Sequence, residues 1–175
     1  FAFGIIVSAM IYIFGNISGA HINPSVTIAL VTGKLISIKE ASFYIFAQIL
    51  GAILASVLLK IMFSENLTLG ATIPSGELVQ SFILEFVLTF FLMLTILGVT
   101  SKKEFSNIAG FIIGIVVTGI ILVAGPISGG SFNPARSLAP AIVSGNFTAL
   151  CIYITAPTLG AIVAMFVWKG INKTE

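Results

Sequence analysis

Aspartate is absent from this 175-residue chain, and histidine, cysteine and arginine occur once each, as His21, Cys151 and Arg136. Charged residues make up only 8% of it, against ~25% in an ordinary soluble domain. These shortages exclude several kinds of protein. A lone Cys151 rules out a disulfide framework and a cysteine-based metal site, and reads as a small buried residue in a helix. One histidine without aspartate supplies neither a ligand set for a metal nor a nucleophile–base pair, so no metal, no cofactor and no enzymatic activity are expected. A net charge of +2 is too small to imply nucleic acid. What the chain has instead is apolar residue, 58% of the total. It cannot cover a water-soluble surface, and its apolar runs are long and continuous. The class is therefore all-α integral membrane protein, multi-pass in the cell membrane, with the lipid bilayer as its surroundings. It starts at Phe1 inside an apolar run, with no initiator Met or signal peptide, and is expected to be an N-terminally truncated copy of something longer.

One short stretch occurs twice. Residues 18–25 read Ser-Gly-Ala-His-Ile-Asn-Pro-Ser, and residues 128–135 read Ser-Gly-Gly-Ser-Phe-Asn-Pro-Ala. Asn caps helix N-termini, and Pro suits the first helical position because its missing N–H had no partner there. Helices are therefore predicted to start at Pro24 and Pro134. Each runs for about ten residues, or ~15 Å, half of a ~30 Å hydrocarbon core. Two half-length helices with equivalent starts, in so apolar a chain, imply N-termini that meet near the membrane midplane.

The remaining segments arrange themselves around these two. Residues 1–15 form an apolar helix too short to span, residues 16–23 the first loop, residues 24–33 the first half-helix, and residues 41–63 a full span. Residues 64–76 make an external-type loop, with Asn66-Leu67-Thr68 as a sequon-like tripeptide of no assigned function. Spans follow at 77–99 and 108–124, then the second half-helix at 134–144 and a last span at 149–169. Ala47-Gln48-Ile49-Leu50-Gly51-Ala52 after the first half-helix is matched by Ala156-Pro157-Thr158-Leu159-Gly160-Ala161 after the second, and Gly51 and Gly160 are expected to allow close helix contact. The expected architecture is an inverted-repeat bundle with five spanning helices present, two half-helices, and the first helix of six missing before Phe1. It forms a single domain over 1–175, with an incomplete first repeat at 1–63, the external loop at 64–76 and a second repeat at 77–175. Lys34, Lys39, Lys102, Lys103, Lys169 and Lys173 fall on one side and Lys60 on the other, so the first side is cytoplasmic by the positive-inside rule.

The chemistry follows from the pair of boxes. Asn23 and Asn133 would cap the half-helices and present side-chain N–H donors to passing solute oxygens. Each helix N-terminus carries about half a positive charge, and two converging at the midplane raise the energy of any cation while neutral molecules pass. Arg136, three residues into a half-helix, is an intramembrane charge that faces water or function, or else snorkels to an interface.

Two Asn-Pro-Ala-like boxes in register, Asn23-Pro24-Ser25 and Asn133-Pro134-Ala135-Arg136-Ser137, together with the paired Ala-x-x-x-Gly-Ala segments, resemble the aquaporin (major intrinsic protein) family. Ala124-Gly125-Pro126-Ile127-Ser128-Gly129-Gly130 leading into Ser137-Leu138-Ala139-Pro140 is most similar to its nodulin-like, aquaglyceroporin-like branch and prokaryotic relatives. Ser25 departs from the usual Ala; it is small enough to leave the fold alone, and its effect on selectivity is open. The resemblance implies a selectivity filter of Phe3, Ile121, Gly130 and Arg136, with Arg136 donating to solutes and repelling cations. Ile121 stands where water-selective members typically have His, and Gly130 adds no side chain, so the constriction should be wider and partly apolar. The resemblance makes His21 pore-lining, with a purely structural role as the alternative. It gives Glu85 and Gln48 structural roles as acceptors behind the half-helices; a proton relay is the alternative for Glu85. It also implies a homotetramer. The expected function is a passive channel for water and small neutral solutes such as glycerol. The alternatives are a strictly water-selective channel and, further off, a secondary transporter.

Overall fold

The computed structural model describes residues 1–172, and every regular element among them is a helix. In chain order these are α1 (Ala2–Ser18), α2 (Pro24–Thr32), α3 (Ile38–Met62), α4 (Leu78–Ser101), α5 (Lys103–Ser106), α6 (Ala109–Ser128), α7 (Pro134–Ser144) and α8 (Leu150–Ile171). Four of them, α3, α4, α6 and α8, are long and apolar enough to cross a membrane, while α1 is apolar but only 17 residues long. The half-helices α2 and α7 have 9 and 11 residues and begin at the two box prolines. Lys173, counted above on the inner side, lies outside the described residues.

The boundaries differ from expectation in a consistent way. Ser18 and Ser128 are the last helical residues of α1 and α6, where loops were expected to have begun. The stop signal is the glycine that follows. Gly19 and Gly129 adopt φ of 71° and 83°, and each donates its N–H to a carbonyl one turn back, Gly15 O at 2.9 Å and Gly125 O at 3.1 Å. An L side chain is disfavoured in that left-handed conformation, so Ser-Gly ends each helix. At the other boundary, α3 begins earlier than expected because Ser37 caps it, accepting from Glu40 N at 3.1 Å, which draws Lys39 and Glu40 into the helix.

The repeats pack crosswise. The half-helix α2 lies against α8, and α7 against α3, so each half-helix leans on a span from the other repeat. The most extensive contacts are α4 with α8 and α1 with α6. One apolar cluster joins α2, α4 and α8 through Val26, Ala29, Met93, Ala161 and Met165; a second joins α4 and α6 through Leu92, Ile113, Val117 and Ile120 and reaches Phe132. Lys60, in the last turn of α3, donates to Val143 O at 3.3 Å near the C-terminus of α7, where a cation complements the helix dipole.

The two glycines of the paired segments do not behave alike. A Cβ on Gly160 would collide with the Phe86 carbonyl of α4, so close contact there depends on glycine. A Cβ on Gly51 would meet nothing within 4 Å, so among the described residues of this chain the close contact expected there is not made. Cys151 is corrected as well. It is exposed in the first turn of α8, since Ile152, Tyr153 and Ala156 set the inward face of that helix. Overpacking a filled contact typically costs about 1–3 kcal/mol, so Gly160→Ala should lower stability in detergent by that amount. Gly51→Ala should stay within about 0.5 kcal/mol, as measured by thermal unfolding.

Candidate functional site

Both boxes are built by the same capping chemistry. Asn23 and Asn133 sit in extended backbone immediately before α2 and α7. Asn23 Oδ1 accepts from Ser25 N at 2.9 Å, and Asn133 Oδ1 accepts from Ala135 N at 3.0 Å and Arg136 N at 3.4 Å. Pro24 and Pro134 stand at the first helical position, where no N–H is needed.

The side-chain amides then cross. Asn23 Nδ2 donates to Phe132 O at 2.7 Å, and Asn133 Nδ2 donates to Ile22 O at 2.9 Å. Each asparagine thereby holds the carbonyl of the residue just before the other. Ile22 and Phe132 have φ of 42° and 54°, a left-handed conformation costly for a bulky residue. A primary amide has two N–H groups, so each asparagine keeps one donor beyond the crossing bond.

Behind the second box, buried Glu85 is fully engaged. Its Oε1 accepts from Ser128 Oγ at 2.7 Å and Ser131 N at 2.8 Å, and its Oε2 accepts from Phe132 N at 2.7 Å. Tyr153 adds a hydroxyl bond to Ser128 O. Behind the first box, Gln48 Nε2 donates to Thr27 Oγ1 at 2.9 Å. It therefore meets the half-helix as a donor, where an acceptor for loop N–H groups was expected, because Thr27 of α2 points back at α3.

A cavity of about 330 Å³ runs past both boxes, and Phe3, Ile121, Gly130, Arg136, His21, Asn23 and Asn133 all line it. Arg136 Nη1 donates to Gly70 O, and its guanidinium carbon lies 5.3 Å from the centroid of the Phe3 ring, within cation–π range. Gly130 has φ of 61°, and a Cβ there would lie 3.7 Å from Ile121, so these two form one apolar stretch of wall. The imidazole of His21 stacks on Tyr44 with centroids 4.7 Å apart. Pro24, Ser25, Pro134 and Ala135 are buried and do not line the cavity. Ser25 points away from it, and its hydroxyl pairs with Thr158 Oγ1 of α8 at 3.2 Å. Among the described residues no three His, Cys, Asp or Glu side chains come together as a metal site.

The segment between α3 and α4, read above as a plain external loop, is a working part of the site. It supplies Gly70 O to Arg136, and Thr72 Oγ1 donates to Ser137 Oγ at 2.7 Å. Ser137 Oγ lies 2.5 Å from Ser131 Oγ, which donates to Asn133 O at 3.0 Å. Asn66 folds the tip by accepting from Thr68 N and Leu69 N at 3.1 and 2.9 Å. A backbone carbonyl leaves no mark on a sequence, so Gly70 was invisible. The matched hydroxyls Thr27 and Ser137, each four residues after its asparagine, could have been found by aligning the repeats.

The sequence profile of the family described as Major intrinsic protein matches residues 1–168. Aquaporin NIP1-1 of Zea mays is 40% identical over 174 residues, which is 98% of this chain and 62% of that protein. Nodulin-26 of Glycine max is 39% identical over 174 residues, 98% of this chain and 64% of that one. The chain thus spans less than two thirds of the length of these relatives. Among solved structures, the aquaglyceroporin from Plasmodium falciparum superposes with a TM-score of 0.83 at 24% identity, over 97% of this chain and 79% of that one, which is a likeness of fold. Ser25→Ala removes a hydroxyl that lies outside the cavity. The lost hydroxyl pair should cost about 0.5–1.5 kcal/mol in a detergent unfolding experiment.

Proposed function

The chain belongs to the major intrinsic protein (aquaporin) family, and from that premise we propose that it is a passive channel for water and small neutral solutes of glycerol type. The observation that carries the proposal is the meeting of two capped helix N-termini beside one cavity, each asparagine tied to the opposite box. Each end offers about half a positive charge in a low-dielectric setting, and Arg136 adds a full one further along. A cation, hydronium included, meets three positive features in succession. A neutral molecule loses water contacts and regains them from the free amide N–H groups and the guanidinium. In this reading residues 1–175 form one channel domain, its repeats at 1–63 and 77–175 in opposite orientation and joined by the loop at 64–76. The family resemblance extends the proposal to a homotetramer in the cell membrane.

The other classes fit less well. A coupled transporter needs a titratable group free to change partners, and Glu85 already accepts three hydrogen bonds from Ser128, Ser131 and Phe132. An enzyme needs an accessible nucleophile beside a base, and Thr27, the hydroxyl next to His21, is fully buried, does not line the cavity and donates to Asn23 O. The reading against a strictly water-selective channel rests on Ile121 and Gly130, which put apolar surface and no donor on the wall facing Arg136.

Stopped-flow light scattering on proteoliposomes of the full-length protein tests this. Fast shrinkage in sucrose, followed by fast re-swelling in glycerol, is expected. Fast shrinkage without re-swelling would leave the water-selective reading. Ile121→His should slow glycerol entry by about tenfold, equivalent to ~1.4 kcal/mol of added barrier, and change water flux by less than about twofold.

A further inference from the structure

The two boxes carry polar residues at matched positions. His21 and Ser131 stand two residues before their asparagines, and Thr27 and Ser137 stand four after. Within each box the two side chains meet, Ser131 Oγ with Ser137 Oγ at 2.5 Å and His21 Nδ1 with Thr27 Oγ1 at 3.4 Å. A third side chain closes each pair from another element, Thr72 on the outer side and Gln48 on the inner. The hydroxyls of the outer pair can turn to suit one another. The inner pair contains an imidazole, and in the neutral ring one nitrogen is a donor and the other an acceptor, in one order or the other.

We propose that Thr27 is a positioning residue that holds His21 as the tautomer protonated on Nδ1, leaving Nε2 as a hydrogen-bond acceptor in the lumen. The reasoning is a count of protons. The Thr27 hydroxyl has one, and its oxygen lies 3.1 Å from Asn23 O, a carbonyl that can only accept. Gln48 also reaches that oxygen, at 2.9 Å; were its amide turned round, its oxygen would compete for the same proton. Asn23 O at 3.1 Å is nearer to the hydroxyl than His21 Nδ1 at 3.4 Å and takes its proton, so Nδ1 brings its own. Thr27 is fully buried.

The rest of the pocket agrees with this assignment. The imidazole plane is held by stacking on Tyr44, whose hydroxyl is itself fixed to Ser18 O at 2.7 Å. A Cβ on Gly19 would lie 3.2 Å from Nε2, so glycine keeps that edge of the ring open. Nε2 has no protein partner among the described residues, and His21 lines the cavity. The consequence for transport rests on the channel reading. The amide donors of Asn23 and Asn133 draw water oxygens to the middle, which turns water hydrogens toward the mouths. An acceptor at His21 receives such a hydrogen, whereas an N–H there would oppose it.

The chain has one histidine, so the full-length protein with isotopically labelled histidine in lipid bilayers gives a single imidazole in a nitrogen NMR spectrum. At mildly alkaline pH, where the ring is neutral, the pattern of protonated Nδ1 and bare Nε2 is expected. Thr27→Val, which keeps the shape and removes the hydroxyl, should lose that pure pattern and lower water permeability by about twofold or more, and Thr27→Ser should restore both. A protonated Nε2 in the wild type overturns the proposal, as does an unchanged pattern in Thr27→Val. If the valine variant fails to fold, the wild-type spectrum alone decides. The expected tautomer in a protein that passes no water would uphold the assignment and count against the channel reading.

Discussion

The structure depends on a reciprocal pair of hydrogen bonds, Asn23 Nδ2 to Phe132 O and Asn133 Nδ2 to Ile22 O. A helix that starts halfway through a bilayer exposes up to four backbone N–H groups where no lipid can satisfy them. Each asparagine answers this with one oxygen for its own helix and one N–H for the opposite box. Much of the neighbouring backbone follows from the geometry of that exchange. Ile22 and Phe132 take positive φ so that their carbonyls face the opposing amides, and Gly19 and Gly129 end the preceding helices sharply enough to let the chain turn back. Strain of order 1–3 kcal/mol per left-handed residue persists only where the surroundings over-determine it. Here those surroundings are polar networks behind each box.

The two networks solve the same problem with different residues. Behind the second box a buried carboxylate, Glu85, collects three donors from the turn, and Tyr153 holds the turn from the other side. Behind the first, neutral groups suffice: Thr27 and Gln48 on one side, and Ser25 with Thr158 on the other. The second half-helix is also the one that carries Arg136. A cationic side chain in a low-dielectric site is costly alone, and it is offset here by the Gly70 carbonyl and the Phe3 ring face. The first half-helix carries no charge and needs no such compensation.

How much of this was readable beforehand divides along physical lines. The half-helix starts at Pro24 and Pro134 were legible because capping and the proline preference are local, and the second half-helix was bounded correctly at both ends. The helix ends at Ser18 and Ser128 were missed because Ser-Gly was weighed as loop composition, when the glycine is a left-handed cap that extends the helix up to itself. Gly51 and Gly160 look alike in the repeat, yet which one meets a neighbouring backbone is settled by packing. Ser25 was visible as a departure, but its direction was not, since a short buried side chain gives no sign of which wall it faces. Gly70 and Thr72 act through bonds to residues more than sixty positions away, and local pattern is blind to contacts of that range.

A double-mutant cycle across the boxes tests the central claim most directly. Asn23→Asp and Asn133→Asp each remove one crossing N–H while keeping the capping oxygen. With stability of the full-length protein measured in detergent for both single variants and the double, the account expects strong non-additivity, a coupling of about 1 kcal/mol or more, because losing either bond already frees the shared tip. Costs that add to within about 0.5 kcal/mol would mean that the two bonds are independent, and the reciprocal lock would not be what organises the fold.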